Sequence, residues 1–190
     1  MYGVLFFMAQ FLQTVQGYGP LGAGLRLLPW TATLFVVAPI AGAVVNRIGE
    51  RPLVVVGLVL QTLGMAWIGL IVAPGLAYGE LIAPMIVTGA GVSMAMPAAQ
   101  NAVFNSVAAI EIGKASGTFN MLRQLGGVLG VAVVVAAFAG VGGFGSAQAF
   151  SVGFVAAMGV SAALSLLAAV AGMWLPSPRE GAWVQAGAKT

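Results

Sequence analysis

Phe150-Ser-Val-Gly-Phe-Val-Ala-Ala-Met-Gly-Val-Ser-Ala-Ala-Leu-Ser-Leu-Leu-Ala-Ala-Val-Ala-Gly-Met-Trp-Leu175 runs for 26 residues without a charge. Its polar side chains are three serines, Ser151, Ser161 and Ser165, apart from the indole of Trp174. About 20 apolar residues in a helix cross a hydrocarbon core of about 30 Å. A helix that is apolar around its whole circumference has no face to offer water and belongs in a large core or a membrane. The rest of the chain decides between these two in favour of the membrane.

Apolar runs of the same kind recur outward from this one, at about 1–16, 23–45, 53–73, 81–104 and 117–140. Short polar breaks separate them: Gly17-Tyr18-Gly19-Pro20, residues 46–52, residues 74–80, residues 105–116, and the glycine-rich stretch from Gly142 to Gly145. Of 190 residues 61% are hydrophobic and 6% charged, with a mean hydropathy of +1.06. A water-soluble domain carries about a quarter of its residues charged. The expected fold is an all-α integral membrane bundle of six transmembrane helices over residues 1–176, followed by a polar cytoplasmic tail at 177–190. The first run offers roughly 24 Å of helix, short for the bilayer. It lacks the basic start and small-residue cleavage site of a signal peptide and reads as a clipped helix.

Charge supplies topology. With both ends of a six-span chain on one side, that side holds Arg47, Arg51, Lys114, Arg179 and Lys189, and the other holds Arg26. Basic loops stay cytoplasmic, so both termini are expected there, in the cytoplasmic (inner) membrane of the cell. Tyr18, Trp30, Trp67 and Tyr78 then fall toward the outer interface and Trp174 toward the inner one, as aromatic belts do.

Polar residues within the runs mark candidate cavity faces. Gln10, Gln13, Thr14 and Gly17 share one helical face of the first run. Asn120, Arg123, Gln124 and Gly127 repeat that spacing in the fifth, and Ser93, Pro97, Asn101 and Asn105 fall four apart in the fourth. The first, fourth and fifth runs therefore read as cavity-lining, with Gln10, Gln13, Asn101, Asn120, Arg123 and Gln124 as candidate residues, and the third and sixth runs as peripheral. Interhelical hydrogen bonding is the plainer use of a lone amide. Arg123 is the sharpest residue, because a charge at membrane depth costs about 2.5–3.5 kcal/mol on insertion scales. Snorkelling to the inner interface is its structural alternative. Gly126 and Gly130 form a GxxxG pattern, expected to let helices approach closely.

Chemistry is bounded as firmly by what is missing. There is no cysteine, histidine or aspartate. No metal site or cofactor is expected, and no nucleophile has an activating base; the chain does not read as an enzyme. The net charge of +3 is too scattered for nucleic acid. The four acids, Glu50, Glu80, Glu111 and Glu180, all fall near breaks or in the tail.

Gly42-Ala-Val-Val-Asn46-Arg47-Ile-Gly49-Glu50-Arg51-Pro52 resembles the cytoplasmic loop motif of the major facilitator superfamily. Residues 13–29, 97–102 and 113–127 resemble the EmrB/QacA drug:proton antiporters, a fourteen-helix branch, and the likeness covers residues 1–175. It implies the C-terminal half of such a transporter, two inverted three-helix repeats working against an N-terminal half. Gly42, Arg47, Gly49, Arg51 and Pro52 match the loop motif, whereas Asn46 stands where the family usually has aspartate, so an ion pair of that carboxylate does not carry over. The family's membrane-embedded acids belong to the other half. The resulting expectation is half of a proton-coupled multidrug efflux transporter, inactive alone, whose partners are the bilayer, small amphipathic substrates, protons, and the missing half or a second copy. An autonomous six-helix homodimer and a transport-dead assembly protein are the alternatives.

Overall fold

The computed structural model describes residues 2–175, apart from the side chain of Asn46; the expected tail at 177–190, with Arg179, Glu180 and Lys189, lies outside the described residues. The chain folds as helices α1 (Tyr2–Thr14), α2 (Pro20–Arg26), α3 (Leu28–Ile48), α4 (Glu50–Ile71), α5 (Tyr78–Asn105), α6 (Ile112–Val141) and α7 (Ala147–Gly172), with a 3-10 turn at Ala109–Glu111. Among the described residues, five segments are long and apolar enough to cross a membrane: α2 with α3, α4, α5, α6 with its preceding turn, and α7. The protein is a multi-pass α-helical membrane protein. The 13-residue α1 is shorter and packs beside α6 and α7.

The helix bounds differ most from the sequence expectation in two places. The second run is interrupted at Leu27, where Pro29 opens α3 and removes a backbone donor from its first turn. The fifth helix begins at Ile112, ahead of the expected 117, so Lys114 and Ser116 are helical.

Helices α4 and α5 run antiparallel, as glycine contacts show. Gly57 of α4 lies against Gly91 and Ala95 of α5, and Gly64 against Pro84 and Thr88. A Cβ on Gly57 would stand 2.6 Å from the Gly91 carbonyl oxygen, and one on Gly91 would stand 2.5 Å from the Gln61 nitrogen. The two backbones are in contact, and only glycine fits. Membrane helices gain little from apolar burial against each other, so such close approach carries much of their association. Helix α7 covers the other side of α4, with Gly172 beside Val54 and Gly69 beside Met158.

The bundle therefore has two ends. At the motif end, α3 turns into α4, and α5 gives way to α6. Gly49 makes the first of these turns with φ 86°, a left-handed conformation that other residues adopt only with strain. Its N–H still closes α3 on the Val45 carbonyl at 2.8 Å. Arg47, Arg51 and Pro52 are exposed there, and the Asn105 amide donates to Glu50 Oε1 at 2.6 Å, tying the turn to the end of α5.

Packing is lopsided between the ends. Away from the motif end, Phe7 and Phe11 of α1 meet Phe138 of α6 and Phe150 and Phe154 of α7. Ring centroids stand 4.7 Å apart for Phe7–Phe138 and 5.1 Å for Phe11–Phe154 and for Phe138–Phe150. Trp30, Met65, Ile68, Leu81 and Met85 extend this core across α3, α4 and α5. Trp30, near the start of α3, is 1% exposed, and its backbone lies against Gly89. At the motif end the core shrinks to Ala41, Val45, Leu53, Val54 and Ala98. These residues fill the space between α3, α4 and α5 and leave the α6 side open.

Candidate functional site

Open space at the motif half of the bundle follows from residue size. Gly126, Gly127 and Gly130 strip the inward face of α6, and Ala95, Ala99 and Ala168 keep α5 and α7 thin opposite it. Among them lies a cavity of about 460 Å³ walled by α4, α5, α6 and α7 and closed toward the phenylalanine core by Tyr2, Gly3 and Val4. That volume falls in the range of drug-sized ligand pockets. Its surface is mostly apolar, from Val54, Leu58, Val92, Met96, Phe119 and Leu164.

Besides the Tyr2 phenol, four polar side chains line it among the described residues: Gln61, Arg123, Ser161 and Ser165. Gln61 is 7% exposed and Ser161 5% exposed. Ser165 donates its hydroxyl to Met65 Sδ at 3.9 Å, a weak bond. The Ser161 Oγ is buried with no hydrogen-bond partner among the described residues. A hydroxyl left so in a dry interior costs roughly 1–3 kcal/mol, so this oxygen is waiting for a partner.

Arg123 supplies the charge. Its Nη2 donates to Asn120 Oδ1 at 2.7 Å, one turn back on α6, while its Nε is buried without a partner. An amide oxygen orients the guanidinium but does not neutralise it. The described carboxylates are remote. Glu50 opens α4 and Glu80 sits in the first turn of α5. Glu111 precedes α6, about 18 Å along the helix from Arg123 by its rise per residue.

The other expected site residues are placed elsewhere. Asn120 is exposed and reaches the cavity only through its bond to Arg123, and Gln124 faces outward. Gln13 donates to the Ala9 carbonyl at 3.3 Å within its own helix. Gln10 and Asn101 are half-buried outside the cavity wall. Conversely, α4 and α7, expected to be peripheral, supply Gln61, Ser161 and Ser165. Both are nearly uniformly apolar, so the stripe criterion passed over one amide and two small hydroxyls that face inward. The GxxxG pair does not hold a helix either: a Cβ at Gly126 or Gly130 would meet nothing within 4 Å. These glycines make room.

A second polar cluster lies at the opposite end. The Arg26 guanidinium carbon stands 3.5 Å over the Tyr18 ring centroid and 5.3 Å from that of Tyr78. Tyr78 OH donates to the Arg26 carbonyl at 3.0 Å, and Gln16 donates to the Leu76 carbonyl at 2.8 Å. These contacts pin the loops joining α1 to α2 and α4 to α5.

Residues 1–190 match the family profile described as Major Facilitator Superfamily. The chain is 33% identical over 133 residues to the multidrug resistance protein Stp of Mycobacterium tuberculosis, covering 70% of this chain and 24% of that protein. It is 32% identical over 132 residues to the tetracenomycin C resistance and export protein of Streptomyces glaucescens, covering 70% and 24%. It is 35% identical over 136 residues to the multidrug efflux pump LfrA of Mycolicibacterium smegmatis, covering 70% and 26%. The chain thus spans about a quarter of the length of the curated relatives it matches.

Proposed function

We propose that this chain, which belongs to the major facilitator superfamily, forms the cavity-bearing half of an efflux transporter for amphipathic organic compounds, of the EmrB/QacA type. The observation that carries this reading is the state of α6. Among its 30 residues only Val134 and Phe138 are buried, yet it contributes a charge and a row of glycines to the cavity wall. Asn120 and Gln124 stand on its uncovered side. Amides held against lipid tails would go unsatisfied, whereas a second six-helix unit would cover them and complete a polar passage. Gln10, Gln13 and Asn101 are proposed to serve that same passage. The named roles of the relatives, multidrug resistance and antibiotic export, supply the substrate class.

Proton coupling is proposed to draw on carboxylates of the other half, since the described glutamates stand at helix starts. The 190-residue chain reconstituted alone in vesicles is therefore expected to show no proton-driven dye efflux, and co-reconstitution with the complementary helices is expected to produce it. Proton-dependent efflux by the chain alone would replace this reading with a self-sufficient homodimer. The motif end is proposed to be cytoplasmic, with both termini on that side of the cytoplasmic membrane. Reporter fusions at Thr190 and between Gly142 and Gly145 are expected to land on opposite faces; a C-terminus outside the cell would contradict the orientation.

A further inference from the structure

We infer that the cavity beside α6 is a binding pocket for a small amphipathic anion, such as an aryl carboxylate. The acid group is held by Arg123 and Ser161, and the apolar body lies in the slot opened by Gly126 and Gly130. This deepens the transport reading and rests on it for the pocket's purpose, though not for its binding chemistry.

Three independent observations converge on one space. The slot is empty volume bounded by apolar walls, about 460 Å³ in extent. Its one charged lining residue is a cation, Arg123, whose nearest carboxylate along its own helix is Glu111, about 18 Å away. Its most deeply buried hydroxyl, Ser161 Oγ, and the Arg123 Nε both lack partners among the described residues. Both are donors, and Gln61 adds an amide that can also donate. A pocket that presents donors and one positive charge between apolar walls favours an acceptor-rich, negatively charged group. It repels a lipophilic cation, which would meet Arg123 with no carboxylate among the described lining residues to offset it. The size favours a drug-sized molecule over a two-chain lipid.

Binding of three matched fluorescent probes to the full chain in phosphatidylcholine nanodiscs tests this: dansylglycine (anion), dansylamide (neutral) and dansylethylenediamine (cation). Dansylglycine is expected to bind roughly tenfold or more tighter than the cation, the increment of a charge-assisted hydrogen bond. Arg123→Gln is expected to erase that preference while leaving dansylamide binding in place. Ser161→Ala is expected to weaken dansylglycine selectively. Gly126→Leu, whose Cβ enters open space and whose longer side chain takes up the slot, is expected to weaken all three. Equal affinity for the three probes, or unchanged binding in Gly126→Leu, would overturn the pocket. Displacement of dansylglycine by phosphatidylglycerol added to the nanodiscs would overturn the soluble anion in favour of a lipid. Gly126→Leu that blocks assembly with the complementary helices, with probe binding intact, would assign the slot to a packed helix instead. The assay contains no transport step, so its failure leaves the efflux reading to be judged by the vesicle experiment.

Discussion

Valine at position 91 is expected to leave little folded protein in the membrane. Gly91 faces the backbone of α4, where a Cβ would come within 2.5 Å of the Gln61 nitrogen and 3.0 Å of its Cα. Those atoms cannot rotate away as a side chain would. The α4–α5 pair must separate, and Gly57 and Gly64, which touch α5 along the same seam, lose their contacts with it. Overpacking a core typically costs about 1–3 kcal/mol, and a seam with backbone on both sides lies at or above the top of that range. Thermal unfolding in detergent, followed by helix signal and by size-exclusion profile, reads the effect directly. Gly91→Val is expected to aggregate or to melt far below the parent, whereas Gly126→Val, with open space around it, is expected to melt with the parent. Equal melting of Gly91→Val and the parent would contradict the close α4–α5 seam.

That pair of glycines also shows where reading the sequence stops. The membrane class and the long apolar helices were legible from Phe150–Leu175 and its counterparts, because lipid demands length and apolarity in every helix and both are written residue by residue. The turn at Gly49 was legible in the same way, as a glycine between two helices. Contact between helices is not written like this. The GxxxG pattern of Gly126 and Gly130 looks like a packing seam and is a void, while Gly57, Gly64 and Gly91, in no short motif, form the seam. Only the relative rotation of the helices separates the two cases.

The site divides along the same line. Arg123 stood out because a charge at membrane depth is expensive wherever the helix points, and its link to Asn120 followed from their spacing on one turn. Ser161 and Gln61 did not stand out. Each is a single polar group on an apolar helix, common enough in membrane bundles to pass unnoticed, and each matters here because the glycines of α6 leave open space beside it.

Arg123→Gln is expected to abolish most transport in the assembled transporter. The substitution removes an insertion cost of about 2.5–3.5 kcal/mol, so the variant enters the membrane at least as well as the parent. It leaves the Asn120 side available for a neutral hydrogen bond and takes away the only charge among the described residues that line the cavity. A hydrogen bond to a charged group contributes about 1.5–3 kcal/mol, which corresponds to a loss on the order of tenfold or more in the rate it supports. Arg123→Lys keeps the charge and loses the planar donor fork, so it is expected to retain part of the activity. A snorkelling arginine behaves differently: glutamine is tolerated, and lysine matches the parent. The deciding measurement is proton-driven efflux of a fluorescent amphiphile, with parent, Arg123→Lys and Arg123→Gln brought to equal abundance in the membrane. A graded loss, partial for lysine and near-complete for glutamine, is the result predicted by a cavity that takes part in transport; full activity of Arg123→Gln at equal abundance would contradict it.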